Sequence, residues 1–124
     1  SGTSQVETHR TKGILLSEKG DRRAALDEFQ KAFVVSPNSL EENYNLALIF
    51  YDLQVFDSSL YYGRRGLPLS SGTERCYLWS GIVRTLIAMG QKTAAVAELQ
   101  NYRRECPSAT DLSQLEAAIK RAGT

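Results

Sequence analysis

Two stretches decide the fold. Gly20-Asp21-Arg22-Arg23-Ala24-Ala25-Leu26 and Gly90-Gln91-Lys92-Thr93-Ala94-Ala95-Val96 have the same form: a glycine, a polar run, then an Ala-Ala-aliphatic step. They lie 70 residues apart, and so do Pro37 and Pro107, the prolines that follow them. Spacing of this kind marks stacked supersecondary units. Two periods of about 35 residues fit between the copies, which places a middle copy from about Leu40. Leu46, Ala47 and Phe50 fall there in a first helix, and Phe56, Ser59 and Leu60 open a second.

Each copy predicts two helices joined by a tight turn. In the first, Ser4 with Glu7 has the spacing of a capping box, and helical periodicity runs to about Lys19. Gly20 can take the left-handed conformation that ends a helix, and Asp21 can cap the next. That second helix is expected to stop near Val35, because Pro37 cannot extend it. Ser39 with Glu42 forms a second capping box. Ser71 or Thr73 starts the third pair, which ends at Pro107. No segment shows the sustained alternation of a strand, so the chain reads as all-α.

Small residues at Gly13, Ala25, Ala47 and Ala95 allow close helix approach, beside Phe29, Phe50, Trp79 and Leu99. Gly63 and Gly66 weaken the middle copy's second helix by roughly 1 kcal/mol each relative to alanine. Either they make room for Trp79 or they mark a loose, kinked helix. A last helix is expected from Ser108 or Thr110 to about Ala122. Its stripe of Leu112, Leu115 and Ile119, with Gln114, Glu116, Lys120 and Arg121 opposite, suits a solenoid cap.

These residues resemble the tetratricopeptide repeat family. The match runs through Gly13, Ala25, Phe29 and Pro37 in copy one and through Trp79, Ile82, Leu86, Ala95, Leu99 and Pro107 in copy three. Leu16 replaces an aromatic of the first helix. The resemblance covers residues 4–109 and implies three repeats (about 6–39, 40–75 and 76–109), with 110–122 as a capping helix. It implies an α-solenoid of three hairpins in a right-handed superhelix, with the first helices lining a concave groove that binds other proteins. The groove side then offers Arg10, Ile14 and Ser17 from copy one. Copy two offers Tyr44, Asn45, Leu48 and Tyr51, and copy three offers Tyr77, Ser80, Gly81 and Arg84. Tyrosine and arginine suit such contacts, having large area and polar ends.

The family's best-known groove chemistry is a dicarboxylate clamp for chaperone C-termini. It needs lysine and asparagine on the first helix, asparagine on the third, and lysine with arginine on the fifth. Arg10 and Asn45 fit loosely, but Ile14, Tyr77 and Gly81 stand where polar or basic groups belong. The expected ligand is instead a segment with apolar or aromatic anchors and one acidic group. The resemblance points to a scaffold or adaptor in a multiprotein assembly, such as a bacterial pilus or secretion machine. A self-associating module, making a homo-oligomer by end-to-end or dimeric stacking, and a regulatory domain of a larger enzyme are the alternatives.

Composition excludes several other classes. Net charge is +1, with 42% hydrophobic and 23% charged residues, which gives no reason to expect nucleic-acid or membrane-surface binding. No apolar run reaches the roughly 18 residues of a membrane span. The start, Ser1 to Gln5, is small and polar, without a signal-peptide core. There is no G-x-S-x-G, Walker A or H-E-x-x-H motif, so neither an enzyme nor a cofactor is expected. The single histidine, His9, falls on the packing side of the first helix. Arg22-Arg23, Arg64-Arg65 and Arg103-Arg104 read as a solvated outer face rather than a phosphate-binding strip.

Cys76 opens the first helix of copy three and Cys106 closes the second. Two cysteines do not make a metal site. In an antiparallel hairpin those ends lie side by side, so a disulfide fits, and it would point to an oxidising compartment such as the periplasm. Two free thiols in a cytoplasmic protein is the other reading.

Overall fold

The computed structural model describes residues 2–122; Ser1, where the polar start begins, lies outside them. The chain is an all-α solenoid of seven helices among the described residues: α1 (Gly2–Glu18), α2 (Arg22–Val35), α3 (Leu40–Asp52), α4 (Phe56–Gly66), α5 (Gly72–Ala88), α6 (Lys92–Glu105) and α7 (Leu112–Ala122). They pair in chain order, α1 with α2, α3 with α4 and α5 with α6. Each pair then packs on the next through α2–α3 and α4–α5. The last helix lies on α6 and α5, where Leu112, Leu115 and Ile119 are buried. No helix of the described residues is long and apolar enough to cross a membrane.

Three identical turns build the pairs. In each, the chain ends a helix with two backbone bonds of the Schellman type: Gly20 N to Ser17 O with Asp21 N to Leu16 O, Gln54 N to Tyr51 O with Val55 N to Phe50 O, and Gly90 N to Ile87 O with Gln91 N to Leu86 O. The geometry requires a left-handed residue, and φ is +85° at Gly20, +73° at Gly90 and +63° at Gln54. The middle copy thus makes the same turn with a residue that resists it. A side chain in this region costs about 1–2 kcal/mol. Gln54→Gly is therefore expected to raise the unfolding free energy by about 1 kcal/mol, read as a higher urea midpoint at unchanged m-value.

Gly13 and the paired glycines act through packing. A Cβ on Gly13 would lie 2.5 Å from Cε1 of buried Phe29, so α1 and α2 touch here only because the side chain is absent. Gly63 and Gly66 also sit at a helix contact, but the neighbours are Ile82, 3.3 Å from the Gly63 Cβ position, and Leu78, 3.1 Å from that of Gly66. Trp79 is not the residue accommodated. It belongs to the core that α5 shares with α6 and α7, together with Tyr102 and Leu115. Helix α4 runs unbroken to Gly66 and passes into a 3-10 turn at Leu67–Leu69.

Two caps differ from their sequence spelling. Helix α1 already begins at Gly2, which puts Ser4 inside it rather than at its cap; the Ser4 carbonyl accepts from the Thr8 hydroxyl. At α3, the Ser39 hydroxyl does accept from Glu42 N (3.4 Å), and Asp21 caps α2 through Ala24 N. The Glu42 carboxylate, however, takes the Ser39 hydroxyl and the guanidinium of Arg10. Helix α7 starts at Leu112, after a turn at Thr110 and Asp111. The Sγ atoms of Cys76 and Cys106 are joined, with their Cα atoms 6.1 Å apart, linking the start of α5 to the end of α6.

Candidate functional site

The exposed faces of α1, α3 and α5 hold two neighbouring depressions. The first is a cleft of about 200 Å³ lined by Tyr44, Leu48 and Tyr51 of α3 and by Tyr77, Gly81 and Arg84 of α5. Its floor is Ala47, Ser59, Gly63, Leu78, Ile82 and Thr85. The second, between α1 and α3, is lined by Ile14, Ser17, Glu18, Asn45, Leu48 and Asp52, over Phe29 and Ile49. Leu48 borders both, so they lie side by side.

The cleft is almost wholly apolar for a definite reason. The Ser59 hydroxyl donates to Ala47 O and that of Thr85 to Gly81 O, both at 2.7 Å, so the polar atoms of the floor are already bonded. Leu48 is 49% exposed and Tyr77 58%, large apolar surfaces that no other element covers. Burial, then the neighbouring Tyr77 and Glu74, pushes the Tyr44 hydroxyl above its ordinary pKa, which keeps it a neutral phenol.

Nine of the groove residues expected from sequence meet here: Ile14, Ser17, Tyr44, Asn45, Leu48, Tyr51, Tyr77, Gly81 and Arg84. Arg10 does not join them. Its Nε donates to Glu42 Oε1 at 2.8 Å and its Nη2 to Oε2 at 3.3 Å, and it borders a separate depression with Gly2, Val6 and Val35. Arg84 is in the cleft but not free. Its Nη2 donates to Asp111 Oδ2 at 2.9 Å and its Nε to the Ser80 hydroxyl at 3.1 Å. Ser80 and the Tyr102 hydroxyl complete the ring, each donating to Asp111 at 2.6 Å. Asp111, in the turn before α7, is the residue that spacing could not reveal.

That ring has a pH signature. Burial alone would push Asp111 up, but the bonds from Ser80, Tyr102 and Arg84 outweigh it and hold the carboxyl below its ordinary value of 3.8. Burial and Asp111 together push the Tyr102 phenol up to about 12. A carboxyl depressed in the folded state contributes stability above its unfolded pKa, and that contribution disappears as pH falls through the folded value. Asp111→Asn is expected to lose about 2 kcal/mol at pH 7. In urea melts at pH 7, 4 and 3 it should fall less steeply with acid than the wild type. Equal slopes would mean the ring does not form in solution.

The remaining sites are structural. His9 Nδ1 lies 3.2 Å from Glu28 Oε1, between α1 and α2. Of the paired arginines, five are exposed, whereas Arg65 donates to Asn43 Oδ1 and Pro37 O and lies over the Phe33 ring, tying α4 to the α2–α3 turn. No group of three potential metal ligands occurs among the described residues.

By sequence, no family model and no curated protein matches the chain. By structure it is similar to tetratricopeptide domains. The Arabidopsis OM64 domain superposes with a TM-score of 0.85 at 12% identity, over 98% of each chain. The second such domain of human RPAP3, in complex with the HSP70 peptide SGPTIEEVD, gives 0.85 at 11% identity, over 97% of this chain and 98% of that one. The TPR2B domain of yeast Sti1, in complex with an Hsp70 segment, gives 0.78 at 14% identity, over 97% of each chain. At these identities the likeness is one of fold: the chain has the tetratricopeptide fold.

Proposed function

We propose that the protein is a non-catalytic adaptor that binds a segment of a partner protein in the groove across α1, α3 and α5. The observation that carries this reading is the cleft between Tyr44 and Tyr77, with Leu48 at its edge. It is apolar, open to solvent and exceeds the roughly 150 Å³ that holds a benzene ring in a protein interior. Desolvation of such a surface, not hydrogen bonding, would supply most of the affinity. The reading divides the chain into repeats at 6–39, 40–75 and 76–109, with 110–122 as the cap. A place in a bacterial pilus or secretion assembly rests on family resemblance alone.

An acidic chaperone tail like the SGPTIEEVD peptide bound by RPAP3 is not the ligand proposed. Ile14, Tyr77 and Gly81 offer it no positive charge, and Arg10 is taken by Glu42. The test is selection from a displayed random dodecapeptide library, followed by affinity measurement on the selected sequences. Leu48→Ala with Tyr77→Ala removes two exposed side chains, so the fold should survive by circular dichroism. Binding is expected to weaken at least tenfold, the scale of losing one good anchor. Unchanged affinity would move the interaction off this groove.

A further inference from the structure

The groove just proposed also carries a charge preference. We infer that the segment it takes is basic: an apolar or aromatic anchor in the cleft, with lysine or arginine a few residues away. This rests on the groove reading and adds the chemistry of the ligand to it.

The cations come first. Among the residues lining the two depressions the only cation is Arg84, and Asp111 neutralises it at 2.9 Å. Arg10, the other arginine on a groove-side helix that sequence assigned to binding, is neutralised by Glu42. A ligand carboxylate entering the groove finds no unpaired positive charge on its lining.

The carboxylates are arranged the other way. Glu18 and Asp52 line the second depression, both are exposed, and neither has a hydrogen-bond or ion-pair partner among the described residues. Glu74, in the first turn of α5, adds a third carboxylate whose charge is felt at Tyr44. Overall the chain is +1, so this acidity is local. The exposed arginines Arg22, Arg23 and Arg64 sit instead on the second helices of the pairs.

Stability does not account for the two carboxylates of the second depression. Glu18 is the last residue of α1 and Asp52 the last of α3. A negative charge at a helix C-terminus opposes the helix dipole, so both positions are ones that folding disfavours. A cation on a ligand would relieve that cost. Because the apolar cleft and the acidic depression share Leu48, one short segment can use both at once.

The test uses the whole chain and three fluorescein-labelled dodecapeptide pools with the same central Phe, Leu or Trp anchor. The flanks are lysine, serine or glutamate. By fluorescence anisotropy at 50 mM salt, the lysine pool should bind about tenfold more tightly than the glutamate pool, and the gap should close towards 500 mM salt. Glu18→Gln with Asp52→Asn should bring the lysine pool to the level of the serine pool. Equal binding of all three pools, with Leu48→Ala still weakening each, would overturn the charge inference and leave the groove reading standing. Binding indifferent to Leu48→Ala, or absent for every pool, would overturn both. A dimer that falls apart on the Glu18→Gln, Asp52→Asn change, seen by light scattering, would assign the groove to a second copy and overturn the peptide inference.

Discussion

Reduction of the Cys76–Cys106 bond is expected to lower the unfolding free energy by about 3 kcal/mol. The two residues are 30 apart in sequence. Closing a loop of that length restricts the unfolded chain by roughly 3.5 kcal/mol in the chain-entropy account. What else holds those ends together is weaker. Arg75 and Glu105 pair alongside, with Nε to Oε1 at 2.7 Å, but both are about a third exposed. An ion pair at such exposure contributes at most about 1 kcal/mol. Burial of the Cys106 side chain would survive reduction. The loss should appear as a fall of roughly 10–15 °C in the melting temperature. Wild type with a reductant that leaves the protein otherwise intact, and the Cys76→Ser, Cys106→Ser double variant, should melt together. A shift below about 2 °C, or a double variant as stable as the oxidised protein, would mean that the bond contributes nothing in solution.

The local signals of the fold were readable because backbone conformation dictates them. A left-handed turn asks for glycine, and Gly20 and Gly90 announced it; Gln54 makes the same turn and could not be seen, since nothing in a glutamine signals positive φ. Helical spacing told which residues face inward, so Ala25, Phe29, Leu99 and the stripe of α7 were placed correctly. It could not tell what they meet. The facing residue depends on the offset between neighbouring helices, which is why Gly63 and Gly66 turned out to approach Ile82 and Leu78 instead of Trp79.

The groove shows the same division. Tyr44, Leu48, Tyr51 and Tyr77 share a face by periodicity, and the cleft follows once α3 and α5 lie side by side. Charges are another matter. Arg10 and Arg84 read as ligand-binding cations because an unpaired arginine on a groove face is what sequence displays. Their partners lie 32 and 27 residues away, on a neighbouring helix and in the turn before the cap. No spacing rule within a helix reaches that far, and both cations are neutralised once those partners are counted.

Arg10→Ala is accordingly expected to damage folding and spare binding. Glu42 is only 1% exposed on its side chain, and its carboxylate is held by two bonds from Arg10 and one from the Ser39 hydroxyl. Removing the guanidinium strands a buried charge, a change that costs about 3–5 kcal/mol when both partners are fully buried. Arg10 is 29% exposed, so water can partly replace it and the lower end, about 3 kcal/mol, is the better expectation. The pair as a whole is worth far less than its rupture, because both charges must be desolvated to make it. Arg10→Met with Glu42→Leu should therefore recover most of what Arg10→Ala loses, although the Ser39 cap loses a partner. Urea unfolding of the single and double variants measures this directly. Below the melting transition, Arg10→Ala should bind the selected peptides within twofold of wild type, since it lines neither depression of the groove. A variant that folds normally but no longer binds would return Arg10 to the role that its position on the first helix suggests.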